Sequence, residues 1–399
     1  MTSTDLPIFP GERDARCPFN PPAEYTRWRE EEGLRRVTWN GHTVWAVSRY
    51  EDIKTAMSHP AISAEVLGVL QGGENHKGPD APETFPRMDD PEHARLRRML
   101  TKDFTVKRVN MMRPDIEAMA HEFIDAMVAK GRPGDLVQDY ALPIPSLVIS
   151  LLLGVPYSDH DFFQTITGKL MNMYTPPEER ARASREFFGY MLELVALKER
   201  EPGDDLMSRI IRDHVQTGEL RRETAAVNGT ILLNAGHETT ANMIALGTVA
   251  LLENPDMAAV IRDADDPNVI ANAVEELLRY LTIVHSLVAR IAKEDVEIGG
   301  TLVRAGEGLI MNLPAGNWDP AFTTDPETLA LDRPARGHLA FGYGVHQCIG
   351  QTLARAELQI ALPTLLRRLP ELRLAVPSEE IRFRNDMSIY GVHSLPVNW

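Results

Sequence analysis

The segment Val227 to Glu253 is apolar on nearly every face and, as a helix, would run about 40 Å. A helix without a polar face cannot lie on a surface, so other elements must cover it on all sides. The expectation is a mainly α protein, a large helical body with small β-sheet regions, and this segment as its buried centre. With 399 residues, 43% of them hydrophobic, the chain can build such a body.

That same segment holds Asn234, His237, Glu238, Thr239 and Thr240, and burying such groups without partners costs about 2 kcal/mol or more each. Something must use them. Thr239 can bond back to the carbonyl of Ala235, four residues earlier, and Gly236 removes a side chain at the same turn. Together they predict a widened groove where a small ligand could lie against backbone, with Glu238 and Thr239 able to move protons. A glycine and two threonines in a helix also suit plain packing; the carboxylate beside them favours function.

A second constellation is Phe341-Gly342-Tyr343-Gly344-Val345-His346-Gln347-Cys348-Ile349-Gly350, directly before a helical stretch from Gln351 to Leu369. The positive end of that helix and amides brought close by glycines favour a thiolate at Cys348. A thiolate in this setting means a metal ligand or a nucleophile, and the loop alone leaves both open. Cys17, the other cysteine, lies in an unlike context; two such cysteines make no disulfide framework and suit a reducing compartment.

Met1 to Pro22 is polar and proline-rich rather than a secretory signal, and the longest apolar stretch, Leu147 to Val155, falls far short of the roughly 20 residues a bilayer requires. A soluble, cytoplasmic protein with no membrane contact is expected. The net charge of −15 argues against nucleic acid as a partner. Local basic clusters remain: Arg95, Arg97, Arg98 and Lys102 in one segment, Arg355, Arg367 and Arg368 in another. Such clusters are commonly solvated faces, yet they could also receive an acidic protein.

No repeat, low-complexity tract or linker interrupts the chain, so 1–399 reads as a single domain. Arg35 to Trp39 and Thr43 to Val47 flank Asn40-Gly41, a tight-turn hairpin signal. Val296 to Ile298, Thr301 to Val303 and Leu309 to Met311 read as one small sheet beside the helices. Asp90-Pro91 and Asp266-Pro267 each open a helix, and the second carries Ile270, Val274, Leu277, Leu278 and Leu281 on one stripe with Glu276 and Arg279 beside it.

With the cysteine loop and the central helix in view, the chain resembles the cytochrome P-450 family of haem-thiolate monooxygenases, over nearly its full length. Phe341 to Gly350 matches the family's F-G-x-G-x-H-x-C-x-G loop, Ala235-Gly236-His237-Glu238-Thr239 its A-G-x-E-T motif, and Glu276-Leu277-Leu278-Arg279 its E-x-x-R motif. In this order and at these spacings the three together are highly specific. The details around His346 and Ile389 look most like soluble actinomycete members.

The resemblance implies a haem b cofactor with Cys348 as its axial iron ligand, the thiolate pushing electron density onto the metal. It further implies haem contacts from His93, Arg97, Ala235, Gly236, Arg290, Phe341, Gly342, His346 and Gly350. Of these, His93, Arg97, Arg290 and His346 would meet the propionates. Glu276, Arg279 and Arg333 would form a buried ion network holding the loop before Cys348, and Glu238 and Thr239 would govern proton delivery to dioxygen. Peroxide-driven relatives typically lack that acid and threonine. No dinucleotide motif or flavin domain is present, so electrons would come from a ferredoxin and its reductase, drawing on NAD(P)H.

The implied reaction inserts one oxygen atom into a C–H bond of a hydrophobic macrolide, polyketide, sterol-like molecule or xenobiotic by a monomeric enzyme. Asn234, Ile231, Met171, Ser286 and Ile389 are the candidate substrate contacts, with Asn234 standing where many relatives carry an apolar residue. Leu67 to Pro86, with Gly72, Gly73 and Gly78, reads as a mobile loop over the pocket, and Met171, Met173 and Tyr174 as an adaptable lid. Pro363 interrupts the helix after Cys348 and has no functional reading. Two rivals are a cysteine hydrolase with His346 as base and a haem carrier without turnover. The first suffers from residues two apart rarely facing each other; the second has no need of Glu238 and Thr239.

Overall fold

The computed structural model describes residues 6–14, 16–66 and 81–399. Most of the expected pocket loop, 67–80 with its three glycines, lies outside them. The chain divides into two compact units. The first comprises Met1–Ala81, Pro86–Ala94 and Glu275–Cys348, the second Pro82–Phe85, Arg95–Val274 and Ile349–Trp399.

In the first unit, a sheet runs in the spatial order Arg35–Trp39, His42–Val47, Gly308–Met311, Ala289–Ala292, Ile62–Ser63. Its first pair closes on Asn40 and Gly41, both at positive φ (47° and 79°), the conformation that an Asn-Gly turn admits. Alternation along the strands sorts side chains to two cores. Val37, Trp39, Val44 and Ala46 pack with Phe9, Tyr25 and Trp28, whereas Val47, Leu309 and Met311 pack with Ile53 and Met57 of the helix Tyr50–Ser58.

One expectation is corrected here. Val296–Ile298 and Thr301–Val303 pair only with each other, whereas Gly308–Met311 runs parallel to His42–Val47 inside the larger sheet. A parallel pairing between segments so far apart in sequence leaves no local signal, while closeness in sequence suggested a false one.

The second unit is helical around the central helix Arg222–Leu252, 31 residues long. Pro143–Leu153, Pro177–Arg200 and Gln351–Arg368 pack against it, and Val106–Lys130 packs against the last of these. Nearly every residue from Leu232 to Leu251 is buried, as an all-round apolar sequence requires. Pro363 is buried within Gln351–Arg368, which continues as helix to Arg368; nothing in the structure explains the proline. Among the described residues no single helix is long and apolar enough to cross a membrane.

Candidate active site

In the first unit the cysteine loop is shaped by its glycines. Gly342 and Gly344 hold positive φ (71° and 73°), and a Cβ on Gly344 would stand 3.1 Å from the Met57 carbonyl oxygen. The turn closes with the Cys348 amide donating to the Phe341 carbonyl at 2.9 Å and the Gln347 amide to that of Gly344 at 3.0 Å. Cys348 itself is exposed, and the helix Gln351–Arg368 starts three residues later.

Glu276, Arg279 and Arg333 come together as expected. Arg279 Nε and Nη2 donate to the two Glu276 oxygens at 2.7 and 2.8 Å, both side chains fully buried, and Arg333 Nη1 donates to Glu276 Oε1. Arg279 also donates to the carbonyls of Asn317, Pro326 and Thr328, and Arg333 to those of Thr328 and Asp325. A carboxylate buried this deeply is held by two cations and the Ala330 amide.

His93 and His346 lie side by side, ring centroids 4.0 Å apart. His93 Nδ1 meets Asp90 Oδ1 at 3.0 Å, while its Nε2 is buried without a hydrogen-bond partner. Arg290 is buried, and its pKa is pushed down to about 10, first by burial and then by neighbouring Arg87, with Asp89 opposing. Burial lowers the pKa of Arg87 too. Sequence reading missed Arg87, which stands outside every motif. Arg97 lies one helical turn beyond His93, half-buried, in the second unit.

On the central helix Thr239 Oγ1 donates to the Ala235 carbonyl at 2.8 Å, the predicted back-bond, yet the segment stays α-helical through that turn. Ala235 is exposed within the largely buried middle of the helix. Gly236 departs from expectation: a Cβ there would strike Ile149 at 2.6 Å, so the glycine lets Pro143–Leu153 approach closely rather than opening a groove. His237 is spent internally, Nδ1 on the Leu233 carbonyl at 2.7 Å and Nε2 at 3.0 Å from the Thr167 hydroxyl. Glu238 is buried and meets Arg384 at 3.1 Å, a partner from the C-terminal segment that no motif announced.

The substrate candidates divide. Asn234 Oδ1 is buried without a hydrogen-bond partner, and Ile231, a turn earlier on the same helix, is half-buried. Met171 is half-buried and its carbonyl accepts from the Ser388 amide at 2.8 Å, so the expected lid is tied to the segment holding Ile389, itself buried. Ser286, in the first unit, accepts from Trp39 Nε1 at 3.0 Å and is thereby engaged in the sheet core. Among the basic residues, Arg95 pairs with Glu83, Arg368 with Asp125, and Arg367 caps the carbonyls of Arg262 and Ala264; Arg98 and Lys102 point into solvent as exposed residues.

Known proteins of one family resemble this chain along nearly its whole length. The cytochrome P450 family model matches residues 20–386. The chain belongs to the cytochrome P450 family. It is 49% identical to cytochrome P450-SU2 of Streptomyces griseolus, covering 99% of this chain and 98% of that one. Two solved structures share the fold. CYP105P1 in complex with filipin I is 41% identical with a TM-score of 0.90, covering 99% of both chains. The mycinamicin VIII C21 methyl hydroxylase MycCI of Micromonospora griseorubida, bound to mycinamicin VIII, is 35% identical with a TM-score of 0.91, covering 99% of this chain and 100% of that one.

As a cytochrome P450 this chain is a haem-dependent monooxygenase, an oxidoreductase whose cofactor is ligated by a cysteine thiolate. The first unit suits that group. A buried, unpartnered His93 Nε2 and two crowded guanidiniums, Arg87 and Arg290, form a donor set that calls for anions, as the carboxylates of a haem would supply.

Proposed function

We propose that this cytochrome P450 inserts one oxygen atom from dioxygen into a C–H bond of a medium-to-large hydrophobic natural product or xenobiotic. The substrate class is macrolide, polyketide or sterol-like. Relatives solved with filipin I and with mycinamicin VIII support it. The unpartnered Asn234 Oδ1, an acceptor, adds that the substrate carries a hydroxyl to donate to it.

The observation that carries the reading is the buried acid Glu238 beside the Thr239 hydroxyl on the central helix, a pair that an oxygen-activating enzyme requires and a carrier does not. When bound, the haem would supply an iron centre for dioxygen chemistry, tuned by electron donation from a protein thiolate. Cys348 provides that thiolate. His93, Arg97, Arg290 and His346, joined by Arg87, neutralise the propionates. Phe341, Gly342 and Gly350 shape the loop, and Ala235 is an exposed position in the middle of the central helix. Glu276, Arg279 and Arg333 keep the segment before Cys348 in its path. Glu238 carries a proton and Thr239 passes it on from a hydroxyl that rests on the Ala235 carbonyl.

Electrons come from a separate ferredoxin, its reductase and NAD(P)H, with exposed Arg98 and Lys102 as cations for an acidic partner. The family match runs through both units, which supports reading 1–399 as one catalytic domain, here taken to act as a cytoplasmic monomer. The test is a spectral-shift screen of hydrophobic natural products, followed by turnover with ferredoxin and reductase. NADPH consumption matched by oxygenated product is expected; tight ligand binding with no turnover would make the protein a carrier. Cys348→Ala should abolish the red-shifted absorption of the reduced carbon monoxide complex, and survival of that band would remove Cys348 as the ligand.

A further inference from the structure

We propose that Arg384 is a positioning residue for the acid of the central helix, holding the Glu238 carboxylate until a proton reaches it. This rests on the reading of Glu238 as the proton carrier. Arg384 Nη1 lies 3.1 Å from Glu238 Oε2, and the two side chains are only 13% and 8% exposed. The same nitrogen donates to Asn242 Oδ1 at 3.0 Å, while Asn242 Nδ2 donates to the Glu238 carbonyl at 2.7 Å and reaches its carboxylate at 3.5 Å. Arginine, amide and carboxylate thus close a ring.

Packing fixes each member. The Gly391 backbone presses on Asn242 so closely that a Cβ there would fall 1.9 Å from Oδ1. Arg384 sits in a hairpin-like segment, its amide donating to the Gly391 carbonyl at 2.9 Å, with Phe383 bridged to Val392 and its ring stacked on Tyr390. The nearest acid on that segment, Asp386, is already engaged by His393 at 2.8 Å and Asn172 at 2.9 Å. Arg384 Nε is buried without a hydrogen-bond partner, and among the described residues Glu238 is the carboxylate paired with this guanidinium.

Among the described residues, the charged and titratable groups facing Glu238 are Arg384 from the C-terminal segment and His237 from its own helix. His237 spends both ring nitrogens elsewhere and is held neutral by burial. For the Glu238 carboxylate to turn from Arg384 toward water or Thr239, the contact between Nη1 and Oε2 must break. The proton then leaves Glu238 toward Thr239 and the ion pair re-forms. Arg384 thereby sets the orientation of the acid and the conditions under which it loads.

The test uses the holoprotein with ferredoxin and reductase, comparing Glu238→Gln, Arg384→Met and Arg384→Lys, each first checked for the wild-type reduced carbon monoxide absorption. Glu238→Gln should lower product formed per NADPH by on the order of tenfold. Arg384→Met should lower it in the same direction and Arg384→Lys should restore most of it. The infrared carboxyl band that disappears in Glu238→Gln should move in Arg384→Met and return in Arg384→Lys, a signature that does not depend on turnover. Full product yield and an unmoved band in Arg384→Met overturn the role of Arg384 while leaving the acid reading intact. A yield lost in Arg384→Met with no movement of the band and no rescue by lysine also overturns it, as the mark of a structural defect. Full yield in Glu238→Gln removes the acid reading itself. If Arg384→Met does not accumulate as holoprotein, Arg384→Gln carries the same readouts.

Discussion

His237 sits beside Glu238, the acid proposed to carry protons, and is itself held in the neutral form. Burial lowers its pKa from 6.5, outweighing the pull of Glu238, so the neutral ring is the folded form. As pH falls, the unfolded chain takes this proton first. Its contribution to stability is therefore complete above pH 6.5 and drains away as pH drops toward the folded pKa, at up to about 1.4 kcal/mol per pH unit. His237→Gln should flatten that acid slope, read as urea midpoints between pH 5 and 7.5; an unchanged slope would show that another group titrates. Thr239 makes the opposite case, a side chain whose hydroxyl, among the described residues, bonds to its own helix. Thr239→Ala should leave substrate binding intact and divert reducing equivalents to peroxide, measured as peroxide per NADPH. Both residues were legible from the sequence because each sits in a local pattern. Arg87 and Arg384 were not, since each acts through residues distant in the chain and neither lies in a repeat, a motif or an amphipathic stripe.

The helix Gln351–Arg368 shows how an element absorbs a group that its packing does not want. Glu357 is fully buried, one carboxyl oxygen has no hydrogen-bond partner, and burial raises its pKa well above 4.5. A raised pKa means stability that is complete below the unfolded value and lost as pH rises through the folded one. Glu357→Gln keeps the shape and removes the ionisation, so it should raise stability at pH 8 by about 1 kcal/mol or more, the gain shrinking toward pH 4.5. A lower urea midpoint for the variant at pH 8 would show that the carboxylate is needed. At this scale the sequence was a good guide where periodicity ruled. The central helix begins five residues before the expected start and ends within one of the expected end, and the Asn-Gly hairpin closes at the expected turn. It misled at Gly308–Met311, where non-local pairing decides, and at Gly236, where an absent side chain makes room for Ile149 instead of a ligand.

For the molecule as a whole, the fold and the reaction class were readable because three motifs recur at fixed order along the chain, and the family match bears them out. Substrate and partner were not, since both depend on surfaces that no motif fixes. The structure narrows the second by neutralising much of the basic clusters: Arg95, Arg367 and Arg368 are engaged within the second unit, leaving Arg98 and Lys102 exposed. Replacing Arg98 and Lys102 together with Glu should cut ferredoxin-supported kcat/KM several-fold at low ionic strength, and the gap should close as salt rises. A loss independent of salt would place docking elsewhere. In the first unit, Arg279 and Arg333 grip main-chain carbonyls at Asn317, Thr324, Asp325, Pro326 and Thr328. A carbonyl is the same whichever side chain the residue bears. The path of that segment is thus written into two arginines and one glutamate elsewhere, and its own exposed side chains are left open to drift without moving the cysteine loop that follows.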